Sequence, residues 1–340
     1  MAQMSGKITD LIKNEFSKQT IVVVGDLVAD QFLSGTIRRI SREAPVFIVD
    51  HDETETRPGG AANAAANLAS LGAGAVMIGV LGDDTSGAEL RSALEIAGVN
   101  TGLIIDTAGH STTTKTRVLA GQQYAPRQQV IRIDHASHQP LPQPVVDQIL
   151  ERLERAAANA AAVILSDYNY GIVTADVFAA AKLLCKKLGI PLLIDSRFGL
   201  RKFPGATAAT PNKEEAEAAI GNELDDARCD RLREELGYDA LLITLGNRGM
   251  LLSEKGNAVE HIPAVGSVQA VDVTGAGDTV IAVYALGLAS GMSHREAAAA
   301  ANHAGGIVVM KRGTAVVGRS ELIASFAGES PASATAATEN

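Results

Sequence analysis

Asp272-Val273-Thr274-Gly275-Ala276-Gly277-Asp278-Thr279, followed by the apolar run 280–289, is the stretch from which the rest of the chain is best read. Its small residues let the backbone turn tightly, and a helix that begins there presents unpaired N–H groups in its first turn. The amides of Gly275, Ala276 and Gly277 can cup an anion, helped by the helix dipole. Asp278, at the start of that helix, can accept a proton from a hydroxyl attacking a phosphate held by those amides. An Asp at a helix start can equally be a simple cap. Chemistry is favoured here because Asp272 and Thr274 precede the turn in the same compact loop. There is no Gly-Lys-Ser/Thr for a Walker loop, and Val280 stands where a dinucleotide fingerprint needs its third glycine.

Outward from this loop, apolar runs of strand length alternate with helix-length, alanine-rich segments. Residues 21–25, 76–81, 162–166, 191–195 and 241–245 are short and β-branched or Leu-rich, the mark of buried strands. Helices are expected at 61–70, 86–97, 142–160, 174–188 and 212–220. The alternation predicts an α/β fold whose parallel sheet is covered on both faces. Ligands of such sheets bind beyond the carboxyl ends of the strands, so Asp26, Asp167, Asp195 and Gly246 are suspects on position alone. Two more polar stretches, 31–57 and 103–135, break the rhythm with period-two patterns such as Val130-Ile131-Arg132-Ile133-Asp134. Lys115 and Arg117, two apart, share a strand face there. These stretches are expected to form a small separate sheet that closes over a ligand or pairs with a second subunit. Residues 1–17 are taken as an N-terminal extension and 327–340 as a frayed tail.

With 340 residues, 46% of them hydrophobic, the chain can bury a substantial core. Its net charge of −9 argues against bulk attraction to nucleic acid or an anionic membrane, leaving room only for a local cationic pocket. Five Tyr, seven Phe and no Trp supply few platforms for stacking bases. No apolar run approaches the roughly 20 residues of a membrane helix, and residues 1–20 lack a hydrophobic signal core. Cys185 and Cys229, without Cys-x-x-Cys spacing, suit a reducing cytoplasm. The histidines show no ligand spacing for zinc, and Ser166 lacks the setting of a hydrolase elbow.

The octet resembles the C-terminal signature of the ribokinase-like sugar kinases, the PfkB family, and Arg57-Pro58-Gly59-Gly60-Ala61-Ala62-Asn63-Ala64 resembles the N-terminal one. The order and spacing of family elements match over 18–326. The resemblance implies a ribokinase-like three-layer α/β fold, a mainly parallel central sheet and a small β-sheet lid over 31–57 and 103–135. It implies an ATP-dependent phosphotransferase with an alcohol acceptor, using Mg²⁺ and, as in many members, K⁺. Asp278 would be the base, with Gly275, Ala276 and Gly277 forming the anion hole. Asp30, Gly59, Gly60 and Asn63 would line the sugar pocket, Asn63 bonding hydroxyls. Asn212 and Glu215, from the family's Asn-x-x-Glu, would organise Mg²⁺ and phosphates through water, as hard oxygen ligands suit Mg²⁺. By themselves those two residues are an ordinary helix start with a first-turn acid. Thr244, Gly246 and Gly249 would form the nucleotide loop with Asn302 nearby, and Asp272 and Thr274 would be monovalent-cation ligands.

Within the family, Arg39-Ile40-Ser41-Arg42-Glu43-Ala44-Pro45-Val46, Lys115-Thr116-Arg117-Val118, 128–134 and Ser166-Asp167-Tyr168 resemble the bacterial heptose-7-phosphate kinases of lipopolysaccharide precursor synthesis. A phosphorylated substrate needs cations, and Lys115, Arg117 and Arg132 lie in the proposed lid strands of an otherwise acidic chain. Cations on a small edge sheet also guard against aggregation. Two departures stand out: Tyr170 replaces a Lys of those kinases, and Asp195-Ser196-Arg197 replaces Asp-Pro-Lys. Many members carry a fused nucleotidyltransferase domain, which a chain of this length is expected to lack. The leading expectation is therefore phosphorylation of D-glycero-D-manno-heptose 7-phosphate at its anomeric hydroxyl. The alternatives are another acceptor such as fructose 6-phosphate or ribose, or a non-catalytic sensor that kept the fold. Expected partners are the sugar, ATP and a second copy of the chain through the lid, with no nucleic acid and no membrane.

Overall fold

A computed structural model describes residues 2–122, 127–137, 139–266 and 269–327 of the chain. In chain order it contains α1 (Ala2–Asn14), β1 (Thr20–Gly25), β2 (Leu27–Ile40), β3 (Phe47–Gly60), α2 (Ala61–Ser70), β4 (Gly74–Gly82), α3 (Thr85–Ile96) and β5 (Ile104–Thr107). There follow β6 (Thr113–Gly121), β7 (Gln128–His135), α4 (Gln143–Ala157), β8 (Ala162–Asp167), α5 (Ala175–Leu188), β9 (Leu192–Ser196) and β10 (Ala208–Ala209). The chain continues with α6 (Lys213–Ile220), α7 (Asp226–Leu236), β11 (Ala240–Thr244), β12 (Met250–Glu254), β13 (Glu260–Ile262), α8 (Ala276–Ala289), α9 (His294–Val308) and α10 (Arg319–Phe326).

β1 shows why the layers form. Its run of β-branched residues is buried on both faces, as expected of a strand inside a covered parallel sheet. Ile21 and Val23 point into one apolar cluster with α2, α8 and α9, whereas Val22 and Val24 point into a second cluster with α4 and α5. Alternation along one strand thus feeds two cores on opposite sides of the sheet. The large sheet runs β13-β12-β11-β10-β9-β8-β1-β4-β5 among the described residues. β12 pairs antiparallel with both neighbours, and the remaining pairs are parallel. The architecture is the α/β one expected: a mainly parallel central sheet with helices on both faces and a smaller second sheet.

That second sheet has the order β3-β2-β6-β7. Asp26 alone separates β1 from β2, so one chain segment passes from the large sheet directly into the small one. Register places Asp30 opposite Arg57 and Lys115, and Arg117 opposite Arg132, on one face. The stretch expected to be lid, 103–135, is split. β5 pairs with β4 through Gly79↔Ile104 and belongs to the large sheet, because its Ile104 and Ile105 are buried there. The small sheet takes only β6 and β7 from that stretch, and β2 and β3 extend past 31–57 at both ends.

The extension expected at 1–17 contains a helix and is packed into the fold. Ile8, Ile12 and Phe16, spaced four apart, are fully buried in the cluster that holds α9 and α10. Of the tail expected at 327–340, residues 328–340 lie outside the described residues. Among the described residues no helix is long and apolar enough to cross a membrane.

Candidate active site

Gly275 caps α8 with φ +78°, a left-handed conformation that L residues avoid. A Cβ there would overlap Asn63 Nδ2. Gly277 is different: it is exposed, and a Cβ there would meet nothing within 4 Å. The space beside Gly277 in the first turn of α8 is thus open, while the Ala276 N–H donates to the Val273 carbonyl at 3.3 Å. One residue further, Asp278 is 2% exposed.

Asp278 receives two hydrogen bonds, from Asn63 Nδ2 at 2.8 Å and from the Tyr168 hydroxyl at 2.6 Å. Burial pushes its pKa up from the ordinary 3.8 to about 6, against the lowering effect of those two donors. A carboxyl poised there is ionised at neutral pH yet basic enough to take a proton from an attacking hydroxyl. Asn63 also donates to the Gly275 carbonyl at 3.3 Å, and its own Oδ1 accepts from Asn67. The Asn63 amide is thus engaged with the Asp278 carboxylate and the Gly275 turn. The alanines around it let α2 approach α8 closely enough for this.

Asp30 projects from β2 and pairs with Arg117 of β6 at 2.5 Å, both nearly buried. Burial raises the Asp30 pKa, and Arg117 works in the opposite direction. Gly59 makes room for this carboxylate, since a Cβ there would stand 2.5 Å from Asp30 Oδ2. Gly60, with φ +59°, caps α2, and a Cβ on it would come within 2.8 Å of the Asp26 carbonyl. Lys115 Nζ lies 5.3 Å from the Tyr168 ring centroid and 5.9 Å from that of Tyr170. Its pKa is lowered by burial and by Arg197. Arg132, more exposed, pairs with Asp134 at 2.8 Å.

Asp195 is the penultimate residue of β9. Its pKa stands well above the usual range through burial, with Asp278 and Glu215 the carboxylates nearest in effect. Asn212 and Glu215 cap α6 reciprocally, each side chain accepting from the other's backbone N–H at 2.8 Å. Asn212 also bridges to Thr244 at the end of β11. Among the described residues no group of three or more His, Cys, Asp or Glu is placed to hold a metal ion. The oxygens of Asn212 and Glu215 are the hard kind that suit a Mg²⁺ keeping its own waters.

Gly246, φ +61°, is exposed and open. A Cβ on Gly249 would overlap the backbone of 262–264, and Asn302 Nδ2 donates to the Pro263 carbonyl at 2.7 Å. Both secure one segment behind the loop. Asp272 is likewise engaged: its two oxygens accept the N–H groups of Thr274 and Gly313, both at 2.9 Å, which makes it a clip between loops.

Residues 18–319 match the pfkB family of carbohydrate kinases. The chain belongs to that family. As a carbohydrate kinase it is a phosphotransferase, and kinases of the ribokinase-like fold use ATP and Mg²⁺. Among curated relatives it is 39% identical over 332 residues to the bifunctional protein HldE of Trichlorobacter lovleyi, an overlap of 96% of this chain and 66% of that protein. It is 42% identical over 314 residues to HldE of Desulfatibacillum aliphaticivorans, covering 90% and 63%. The kinase therefore spans just under two thirds of the length of these relatives. Its fold is similar to Arabidopsis thaliana ribokinase complexed with ribose and ATP, with TM-score 0.70, 22% identity and coverage of 91% and 98%. It is also similar to Escherichia coli phosphofructokinase-2 in complex with substrates and products, with TM-score 0.73, 18% identity and coverage of 91% and 99%.

Two residues beside Asp278 were given no role from sequence: Tyr168, whose hydroxyl donates to Asp278, and Arg197, whose guanidinium carbon lies 5.1 Å from the Tyr168 ring centroid. Tyr168 stands at the carboxyl end of a buried strand beside Asp167, on the ligand edge of the sheet. That position was the available signal.

Proposed function

We propose that this carbohydrate kinase phosphorylates D-glycero-D-manno-heptose 7-phosphate at the anomeric hydroxyl, using Mg-ATP. The observation that carries the proposal is the buried Asp278 beside the open first turn of α8, with Asp30 and three cations of the small sheet on the same side. The hydroxyl gives its proton to Asp278 as its oxygen attacks the γ-phosphorus; the bond from that phosphorus to the bridging oxygen breaks, and ADP leaves. Amides of Gly275, Ala276 and Gly277 take up charge on the transferring group. Mg²⁺, held through water by Asn212 and Glu215, would neutralise phosphate charge. Asp30 would orient sugar hydroxyls, and Lys115, Arg117 and Arg132 would meet the sugar's own phosphate.

Support for the heptose comes from the four stretches that resemble heptose-7-phosphate kinases and from the HldE relatives. Tyr170, where those kinases have Lys, lies near Lys115, so a cation still reaches this neighbourhood from β6. Pairing of two copies through the small sheet is part of the proposal: edge strand β7 exposes Ile131 and Ile133. We place the enzyme in the cytoplasm, where its two buried thiols stay reduced.

The test is ADP release from Mg-ATP with heptose 7-phosphate, fructose 6-phosphate, fructose, ribose, adenosine or no acceptor. Preference for heptose 7-phosphate is expected. Turnover of another acceptor would retain the kinase and discard the heptose. Bound ATP with no turnover on any acceptor would favour a sensor.

A further inference from the structure

We propose that Tyr168 is a positioning residue for the base: its hydroxyl sets the orientation of the Asp278 carboxylate, and its ring links that carboxylate to cations of both sheets. The inference rests on Asp278 being the base.

Two independent restraints fix Tyr168. Its backbone N–H donates to Asp26 Oδ2 at 2.8 Å, and Asp26 also accepts from the N–H groups of Tyr170 at 3.0 Å and Ile172 at 3.1 Å. One buried carboxylate at the junction of β1 and β2 thus pins the whole turn after β8. Within that turn Asn169 has φ +64°, the positive value found at a non-glycine position among the described residues. Strained backbone of this kind persists where its surroundings over-determine it. Finally, the ring has Lys115 Nζ 5.3 Å and the Arg197 guanidinium carbon 5.1 Å from its centroid, within cation–π range. Lys115 comes from the small sheet and Arg197 from the loop after β9 of the large one. The phenol therefore stands where the two sheets meet beside the base.

Its hydroxyl and the Asn63 amide donate to different oxygens of Asp278, Oδ1 at 2.6 Å and Oδ2 at 2.8 Å. Two donors on two oxygens fix the plane of the carboxylate and leave each oxygen a lone pair for an incoming proton. Burial and the negative charges of Asp278 and Asp195 hold the phenol well above its ordinary pKa, so it remains a donor across the working pH range. A buried tyrosine hydroxyl seeks an acceptor in any protein, and the experiment has to separate that from positioning.

The charged groups facing Asp278 are Asp30 from β2, Asp195 from β9, Arg197 and the phenol itself. Removing the phenolic donor destabilises the ionised carboxylate and moves its titration upward. The decisive comparison is wild type, Tyr168→Phe and Asp278→Asn, with ADP release followed from pH 5 to 9 on the fastest acceptor of the panel above. Tyr168→Phe should lower kcat by roughly 10- to 100-fold, leave the ATP KM within about twofold, and raise the acid limb of kcat/KM by about one pH unit. A second variant strengthens the donor: 3,5-difluorotyrosine at 168 should move that limb to lower pH, and it serves as the test if Tyr168→Phe does not fold. Wild-type kcat and an unmoved limb in the 168 variants, with Asp278→Asn inactive, would overturn positioning and leave the base standing. An active Asp278→Asn would remove the base, and the inference with it.

Discussion

Two glycines separated by one alanine should respond to alanine in opposite ways. At Gly275, φ is +78° and the new Cβ overlaps Asn63 Nδ2, the amide that holds Asp278. The left-handed conformation costs an alanine about 1–2 kcal/mol. Losing a hydrogen bond to a buried carboxylate adds about 1.5–3 kcal/mol. At Gly277 no positive φ is required, and the Cβ meets nothing within 4 Å. Alanine there should stabilise the first turn of α8 by about 0.5 kcal/mol, since glycine is the poorer helix residue. The open space is nonetheless the space assigned to the transferring phosphate, and a methyl group would displace it from the amides. Thermal unfolding and ADP release at saturating Mg-ATP distinguish the two. Gly275→Ala should lose both stability and turnover. Gly277→Ala should keep or raise its Tm while kcat falls roughly 10- to 100-fold. Wild-type kcat and ATP KM in Gly277→Ala would show that no phosphate passes over this turn, and the proposed anion hole would have to be abandoned.

The raised pKa of Asp278 has a stability consequence with a definite sign. The folded value of about 6 lies above the ordinary 3.8, so this group's contribution is intact below about pH 4 and is lost as pH rises through 6. Asp278→Asn should therefore unfold later than wild type at pH 7.5, by about 1–3 kcal/mol, and converge with it near pH 4, while losing most turnover and keeping ATP binding. In the wild type, kcat/KM should fall on the acid side with a limb near that same pH of about 6. Arg117→Met leaves Asp30 buried without its partner and should destabilise by about 3–5 kcal/mol. Adding Asp30→Leu should restore much of that stability without restoring activity, as denaturant unfolding and turnover will show. Arg132 is half exposed and paired with Asp134, so Arg132→Gln should change stability by less than about 0.5 kcal/mol. It should raise KM several-fold for phosphorylated acceptors only.

Features set by local chemistry were legible in the sequence. The octet at 272–279 was readable because a tight turn and a left-handed cap demand glycine, and because the helix after it is apolar throughout. Five strands of the large sheet, β1, β4, β8, β9 and β11, were readable because a strand buried on both faces has to be apolar throughout, whereas β10, β12 and β13 were not anticipated. What escaped was set by distant parts of the chain. Asp30 and Arg117 were both picked out, but their pairing depends on the register of β2 with β6. β5 was placed in the lid because its four residues are followed by a polar stretch, and only its pairing with β4 draws it into the large sheet. Tyr168 could be seen, yet its bond to Asp278 spans 110 positions and needs the turn that Asp26 organises. Asn212 and Glu215 fit the family motif and the ordinary cap equally well, and the structure shows that one pair of side chains makes the cap while lying beside the acidic end of the site.

Helix α1 lies before residue 18, where the match to the kinase family begins. It nevertheless places Ile8, Ile12 and Phe16 at zero exposure in the core shared by α9 and α10. Each such side chain is worth about 1.5–3 kcal/mol of burial, against a typical total stability of about 5–15 kcal/mol. An excised fragment starting at residue 18 would bare an apolar trough along α9 and α10 and spend a large share of its time unfolded or aggregated. Anyone transplanting this domain into a fusion protein, or trimming it for crystallisation, should cut ahead of α1, because the stretch by which the family is recognised is shorter than the stretch that folds.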